Sequence, residues 1–119
     1  MHLVRQDEAP SYEAPGHSAM AMRYLQGREA GPTDSVWLGL SVIQPGGGTT
    51  LSASAVEKFY VVISGELEIT GQIDGRKRTE TLRSMDSCRM EPGEERQLAN
   101  RSDRPASVLL VMPETRPGA

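Results

Sequence analysis

A few side chains in this sequence join reactive chemistry to a usable spacing. Ser52 and Ser54 stand two residues apart, so on a strand they share one face. Glu57 and Lys58 are adjacent and must take opposite faces, while Tyr60 shares parity with Lys58. An ammonium and a phenol on one face offer a base or Schiff-base nucleophile and a proton donor, provided burial lowers the lysine pKa. Cys88 and Met90 share a face on another short apolar stretch, and a buried structural thiol is the expected reading. The histidines, His2 and His17, both stand in the first 18 residues, where solvated side chains are expected. No histidine is placed to activate Ser52 or Ser54, so a Ser-His nucleophile is not supported. Gly46-Gly47-Gly48 lacks the Lys-Ser/Thr and helix start of a phosphate loop and reads as a turn.

The elements that must position these groups are strands. Residues 36–43 and 59–63 are rich in strand formers, and residues 66–70 alternate polar and apolar. Residues 19–25, 79–82, 87–90, 95–100 and 106–112 read as further strands. Pro45-Gly46-Gly47-Gly48 is expected to stop the strand before it, and Asp74-Gly75 to make a tight hairpin. The basic run Arg76-Lys77-Arg78 then reads as a solvated turn. No long segment has helical period. Short strands at a spacing of about 8–12 residues, broken by Gly and Pro, predict an all-β barrel or sandwich. Aromatic residues are scarce, so Val, Leu, Ile and Met must fill the core.

Composition narrows the function classes. A chain of 119 residues suits one domain. Net charge is −3 and the basic residues are scattered, which argues against nucleic acid as a partner. No apolar run approaches the roughly 18 residues of a membrane span. The N-terminus turns acidic at once and lacks the apolar stretch of a signal peptide. A lone cysteine fits a reducing compartment, so a cytoplasmic protein is expected.

The segment from Pro45 to Glu66 resembles the first conserved motif of the cupin superfamily: Gly, five residues, His-x-His, three or four residues, Glu, six residues, Gly. Gly46 and Gly65 fill the glycine slots. The metal-ligand slots hold Ser52, Ser54 and Lys58, or Glu57 if the strand slips by one residue. The second motif is Gly, five residues, Pro-x-Gly, two residues, His, three residues, Asn. Met85 and Glu91 occupy its Gly and Pro slots, Gly93 and Asn100 match, and Arg96 takes the His slot. The resemblance covers residues 36–112.

It implies an antiparallel double-stranded β-helix, or jelly roll, of six to eight strands. Residues 1–18 would form an arm, open to exchange between subunits of a homodimer, residues 19–113 the barrel, and residues 114–119 a flexible tail. Cupins with the full motif bind a divalent metal through three His and one Glu. Hydroxyls and two cations oppose such an ion, so no metal and no cofactor are expected. If Lys58 and Arg96 both face the cavity, Glu57, Glu91, Glu94 or Glu95 must neutralise them, or the pocket must take an anion. The alternative for Lys58 is to snorkel to the barrel mouth and pair there with a carboxylate. The expected ligand is a small anionic organic molecule, aromatic or polyketide-like. Lys58, Tyr60 and Arg96 are the candidate catalytic residues; Ser52, Ser54, Glu57, Lys58, Arg96 and Met90 are the candidate ligand contacts. An isomerase, cyclase or lyase, a non-catalytic sensing module, and a metal-dependent oxygenase with unusual ligands all stay open.

Overall fold

A computed structural model describes residues 1–115. The strands in chain order are β1 (Ser11–Tyr12), β2 (His17–Gln26), β3 (Val36–Thr49), β4 (Ser52–Ala53), β5 (Lys58–Ser64), β6 (Leu67–Ile73), β7 (Arg76–Leu82), β8 (Ser87–Met90), β9 (Glu95–Ala99) and β10 (Ala106–Pro113). Single 3-10 turns occupy Gln6–Glu8 and Arg28–Ala30. The count of ten exceeds the six to eight expected, because two-residue strands pair at the barrel ends where sequence periodicity cannot register them. The main path runs β7-β6-β9-β3-β10-β5-β8, with β2 laid beside β3, β1 beside β2, and β4 beside β9. Every pairing is antiparallel. The sheet curls into a nearly closed barrel whose free edges, β7 and β8, face each other across a groove.

Two local expectations are corrected. The Pro-Gly-Gly-Gly run does not end β3, which continues to Thr49. Glycine lets the strand bend and stay paired on both sides, with Ser18 of β2 and Ala99 of β9 both opposite Gly48. Gly48 has φ 157°, and a Cβ there would collide with the Leu98 carbonyl. Arg76-Lys77-Arg78 is solvent-exposed but lies inside β7, paired with residues 71–73. The turn itself is Asp74-Gly75, with both residues at positive φ (52° and 73°), as a tight hairpin requires.

Met85 keeps the backbone of the glycine whose slot it fills. Its φ is 71° and its side chain is exposed. A side chain in the left-handed region costs about 1–2 kcal/mol, and here little packing offsets it. Met85→Gly is therefore expected to stabilise the protein by about 0.5–1 kcal/mol, read as a higher urea midpoint. A lower midpoint would mean that the thioether packs usefully.

The core fills one end of the barrel. Ile43, Val62, Leu67 and Ala106 are fully buried there, with Ile69, Leu98 and Val108 around them. This is the aliphatic filling that few aromatics demand. Residues 1–18 lie against the same chain: β1 pairs with β2, and Arg23 Nη1 donates to the carbonyls of Gln6 (3.2 Å) and Ala9 (3.0 Å). At the far terminus, the Glu114 amide donates to the Ser35 carbonyl and its carboxylate pairs with Arg28. The rest of the expected tail, residues 116–119, falls outside the described residues. Among the described residues no helix is long and apolar enough to cross a membrane.

Candidate functional site

The other end of the barrel holds a pocket of about 300 Å³. Strand alternation decides what enters it. On β5 the even residues point inward, so Lys58, Tyr60 and Val62 are buried while Phe59 and Ile63 are exposed. On β9, Arg96 and Leu98 point inward. Lys58, Tyr60 and Arg96 thus line one cavity.

The two cations are nearly out of solvent, Lys58 at 4% and Arg96 at 7% exposure. Arg96 Nη1 donates to the Thr49 hydroxyl at 2.6 Å, and that oxygen also accepts the Leu98 amide at 2.9 Å. Arg96 Nε is buried without a hydrogen-bond partner, as is Trp37 Nε1 in the same wall. Among the described residues no carboxylate pairs with either cation. Glu57 binds Arg89 on the outer surface, and Glu94 accepts the Glu91 amide. The Lys58 Nζ stands 6.0 Å from the Tyr60 ring centroid. Burial, and then the Arg96 charge, push the Lys58 pKa down to about 8. Burial raises the Tyr60 phenol, against the nearby Arg96 guanidinium, which lowers it. Cys88 is raised to about 11 by burial and by Glu94, so its thiol stays protonated and unreactive.

An unpaired buried cation weakens the fold. Lys58→Met is expected to raise the thermal midpoint at pH 7 in ligand-free protein. The folded-state pKa lies below the unfolded one, so the penalty is complete below about 8 and fades as pH rises towards 10.5. The gap between variant and wild type should close over that window. A variant that melts lower at pH 7 would reveal a structural partner for Lys58.

Other candidate contacts do not gather here. Ser52 is exposed on β4, beside Arg96 in the ladder but outside the pocket. Ser54 is half-buried, and its oxygens accept the Val56 and Gly93 amides. Glu57 faces outward because it neighbours the inward Lys58. Met90 packs into the core and lines the groove between β7 and β8 instead.

Residues near the N-terminus supply what the sequence reading missed. Tyr12, Glu13 and His17 line the pocket. Tyr12 stacks on Tyr24 with ring centroids 4.1 Å apart, and both meet Trp37 edge-on. Trp37 therefore walls the pocket. His17 is half-buried, not a solvated arm residue. Regular alternation from Met20, Met22 and Tyr24 would turn it outward. A register shift between Ser18 and Met20, with Ala19 at φ 51°, reverses the parity. A strand bulge of this kind leaves no clear signal in one sequence.

Comparison with known proteins agrees with this architecture. A family model described as "Cupin domain" matches residues 39–112. The chain belongs to the cupin family. This cupin is 42% identical over 112 residues to a Mycobacterium tuberculosis protein named beta-D-galactosidase Rv1717, covering 94% of this chain and 93% of that one. It is also similar in structure to the polyketide cyclase RemF from Streptomyces resistomycificus, with TM-score 0.83 at 22% identity over 98% of this chain and 82% of that one. An RmlC-like cupin from Shewanella frigidimarina superposes with TM-score 0.75 at 14% identity, over 98% and 94% of the two chains. Both structural likenesses speak to the fold.

The metal that cupins with the full motif carry does not suit this donor set. Two of the four slots hold cations in the pocket and two hold serines outside it. Among the described residues, no group of three or more His, Cys, Asp or Glu converges to hold an ion.

Proposed function

We propose that this cupin holds a small anionic organic molecule in the barrel pocket, without a transition metal. One observation carries the reading: Lys58 and Arg96 are buried together, and among the described residues neither forms an ion pair with a carboxylate. Buried charge of one sign calls for a counter-ion, and a ligand carboxylate meets that need. The unpaired Arg96 Nε and Trp37 Nε1 add two donors that await acceptors. The Tyr12–Tyr24–Trp37 cluster suits a planar or apolar body behind the anionic group. Arg96 and Lys58 anchor the anion, and Tyr60 offers it a hydrogen-bond donor. Isomerisation, cyclisation or lysis would run through these same groups; a sensing module would use them for binding alone.

Thermal-shift measurement with oxalate, malonate, benzoate and salicylate tests the reading, with the matching neutral amides as controls. A carboxylate at a hundred times its Kd is expected to stabilise by about 2.7 kcal/mol, or several degrees. Stabilisation by the amides and by no acid would refute an anion pocket.

A second reading rests on the relative named beta-D-galactosidase. Glycoside hydrolysis ordinarily uses two carboxylates. Glu13 is the carboxylate among the described residues that line this pocket, and Tyr60 is one of its hydroxyl-bearing residues, beside Tyr12, Tyr24 and Ser41. Release of p-nitrophenolate from p-nitrophenyl β-D-galactopyranoside, lost in Glu13→Gln, would favour this reading over pure binding.

The homodimer belongs to the same proposal. Exposed Phe59 and Ile63 on β5 adjoin the outward residues Leu109 and Val111 of β10. Light scattering should report twice the chain mass, reduced to one in Phe59→Glu. A monomeric wild type would remove the proposal.

A further inference from the structure

The geometry points to His17 as a third ligand-binding residue of the barrel site, donating through its protonated Nε2 to the same anionic group that Arg96 and Lys58 hold. The inference rests on the anion-pocket reading and adds a residue to it. Four observations carry it. His17 lines the pocket, while His2 does not. Its Nδ1 donates to the Pro15 carbonyl at 2.8 Å, which fixes the ring and makes Nε2 the free nitrogen of the neutral tautomer. In the β2–β3 ladder His17 lies directly opposite Thr49, so the two side chains share the inner face. Thr49 is the residue whose hydroxyl holds Arg96. Imidazole and guanidinium therefore neighbour the same threonine, one across the ladder and one by a hydrogen bond, on strands that flank one cavity.

A group so placed takes up a proton when an anion arrives. Its neighbours set the sign. Lys58 and Arg96 bring positive charge to the same pocket from β5 and β9, and Glu13 brings negative charge from the segment before β2. Tyr12, Tyr24 and Tyr60 line the same space as neutral phenols. Arg28 is engaged with Glu114 and stacked over Trp37, 5.1 Å from the ring centroid. An added anion offsets the two cations, so it stabilises His17 in its charged form. By reciprocity, protonated His17 tightens anion binding. Affinity should rise as pH falls through the imidazole range, a step separate from the loss at higher pH when Lys58 gives up its proton.

Oxalate is the probe. Proton NMR follows the ring resonances of His2 and His17 from pH 5 to 8, with and without saturating oxalate, and calorimetry measures oxalate affinity at the same pH values. Oxalate is expected to raise the His17 midpoint by about one pH unit, matched by about a tenfold gain in affinity on the acid side. His2, bonded to the Ala30 carbonyl away from the pocket, should not move. His17→Asn should still bind oxalate at pH 8 and lose the gain at low pH. If oxalate binds wild type, fails to bind Arg96→Met, and leaves the His17 midpoint unchanged, the inference about His17 falls and the pocket stands. If oxalate does not bind at all, the pocket reading falls with it.

Discussion

Arg96→Met is expected to weaken the binding of small carboxylates by about ten- to a hundredfold. A charge-assisted hydrogen bond is worth about 1.5–3 kcal/mol, and the guanidinium meets a carboxylate with paired donors. Arg96 has this capacity to spare. Nη1 is committed to the Thr49 hydroxyl and the Thr50 carbonyl, while Nε has no hydrogen-bond partner, and among the described residues no carboxylate forms an ion pair with the group. The barrel should survive the change, because the Thr49 hydroxyl keeps the Leu98 amide as its donor. Isothermal calorimetry on a carboxylate that stabilises wild type measures the loss. Equal affinity in the variant would remove Arg96 from the site.

Asn100→Ala should cost the fold roughly 2–4 kcal/mol. Asn100 is 1% exposed and spends both ends of its amide on the backbone. Nδ2 donates to the carbonyls of Ile43 (2.9 Å) and Arg104 (2.7 Å), and Oδ1 accepts from the Ser102 amide (3.0 Å) and hydroxyl (2.7 Å). The residue ties the end of β9 to β3 and shapes the turn into β10. Alanine leaves the Ile43 carbonyl buried without its donor, and a buried unsatisfied group carries its full desolvation cost. Urea unfolding should show a lower midpoint at an unchanged slope. A midpoint within error of wild type would mean that water replaces the amide.

Much of the framework was legible in the residues. Gly46, Gly65 and Gly93 all adopt positive φ (82°, 79° and 84°), so the spacing of the glycines reported backbone geometry directly. Met85 makes the same point from the other side, since its slot keeps a positive φ without glycine. The strand at residues 58–64 also carried its own orientation. Parity alone joins Lys58 to Tyr60 and separates both from Glu57, and the buried row agrees.

Other features needed the folded chain. Slots counted along the chain made Ser52 and Ser54 equivalent to pocket ligands, but β4 pairs with β9 for only two residues at the rim, where its side chains meet solvent. Pro45-Gly46-Gly47-Gly48 read as a stop because a local rule sees no partner strands; with β2 and β9 pairing to Gly48 on either side, β3 resumes its ladder at the end of the run.

The sequence by itself determined an all-β barrel of the cupin family, the positions of its tight turns, and two cations where imidazoles usually stand. The all-β character and the turns follow from periodicity and from backbone conformations that few residues tolerate, both of which are local properties; the family and the two cations follow from the resemblance of the two motifs. Only the tertiary structure decided that among the described residues no carboxylate pairs with Lys58 or Arg96, that Tyr12, Glu13 and His17 complete the pocket, and that Ser52, Ser54 and Glu57 stand outside it. Burial and pairing depend on strands far apart in the chain, and a single bulge at Ala19 is enough to turn a histidine from solvent to the interior.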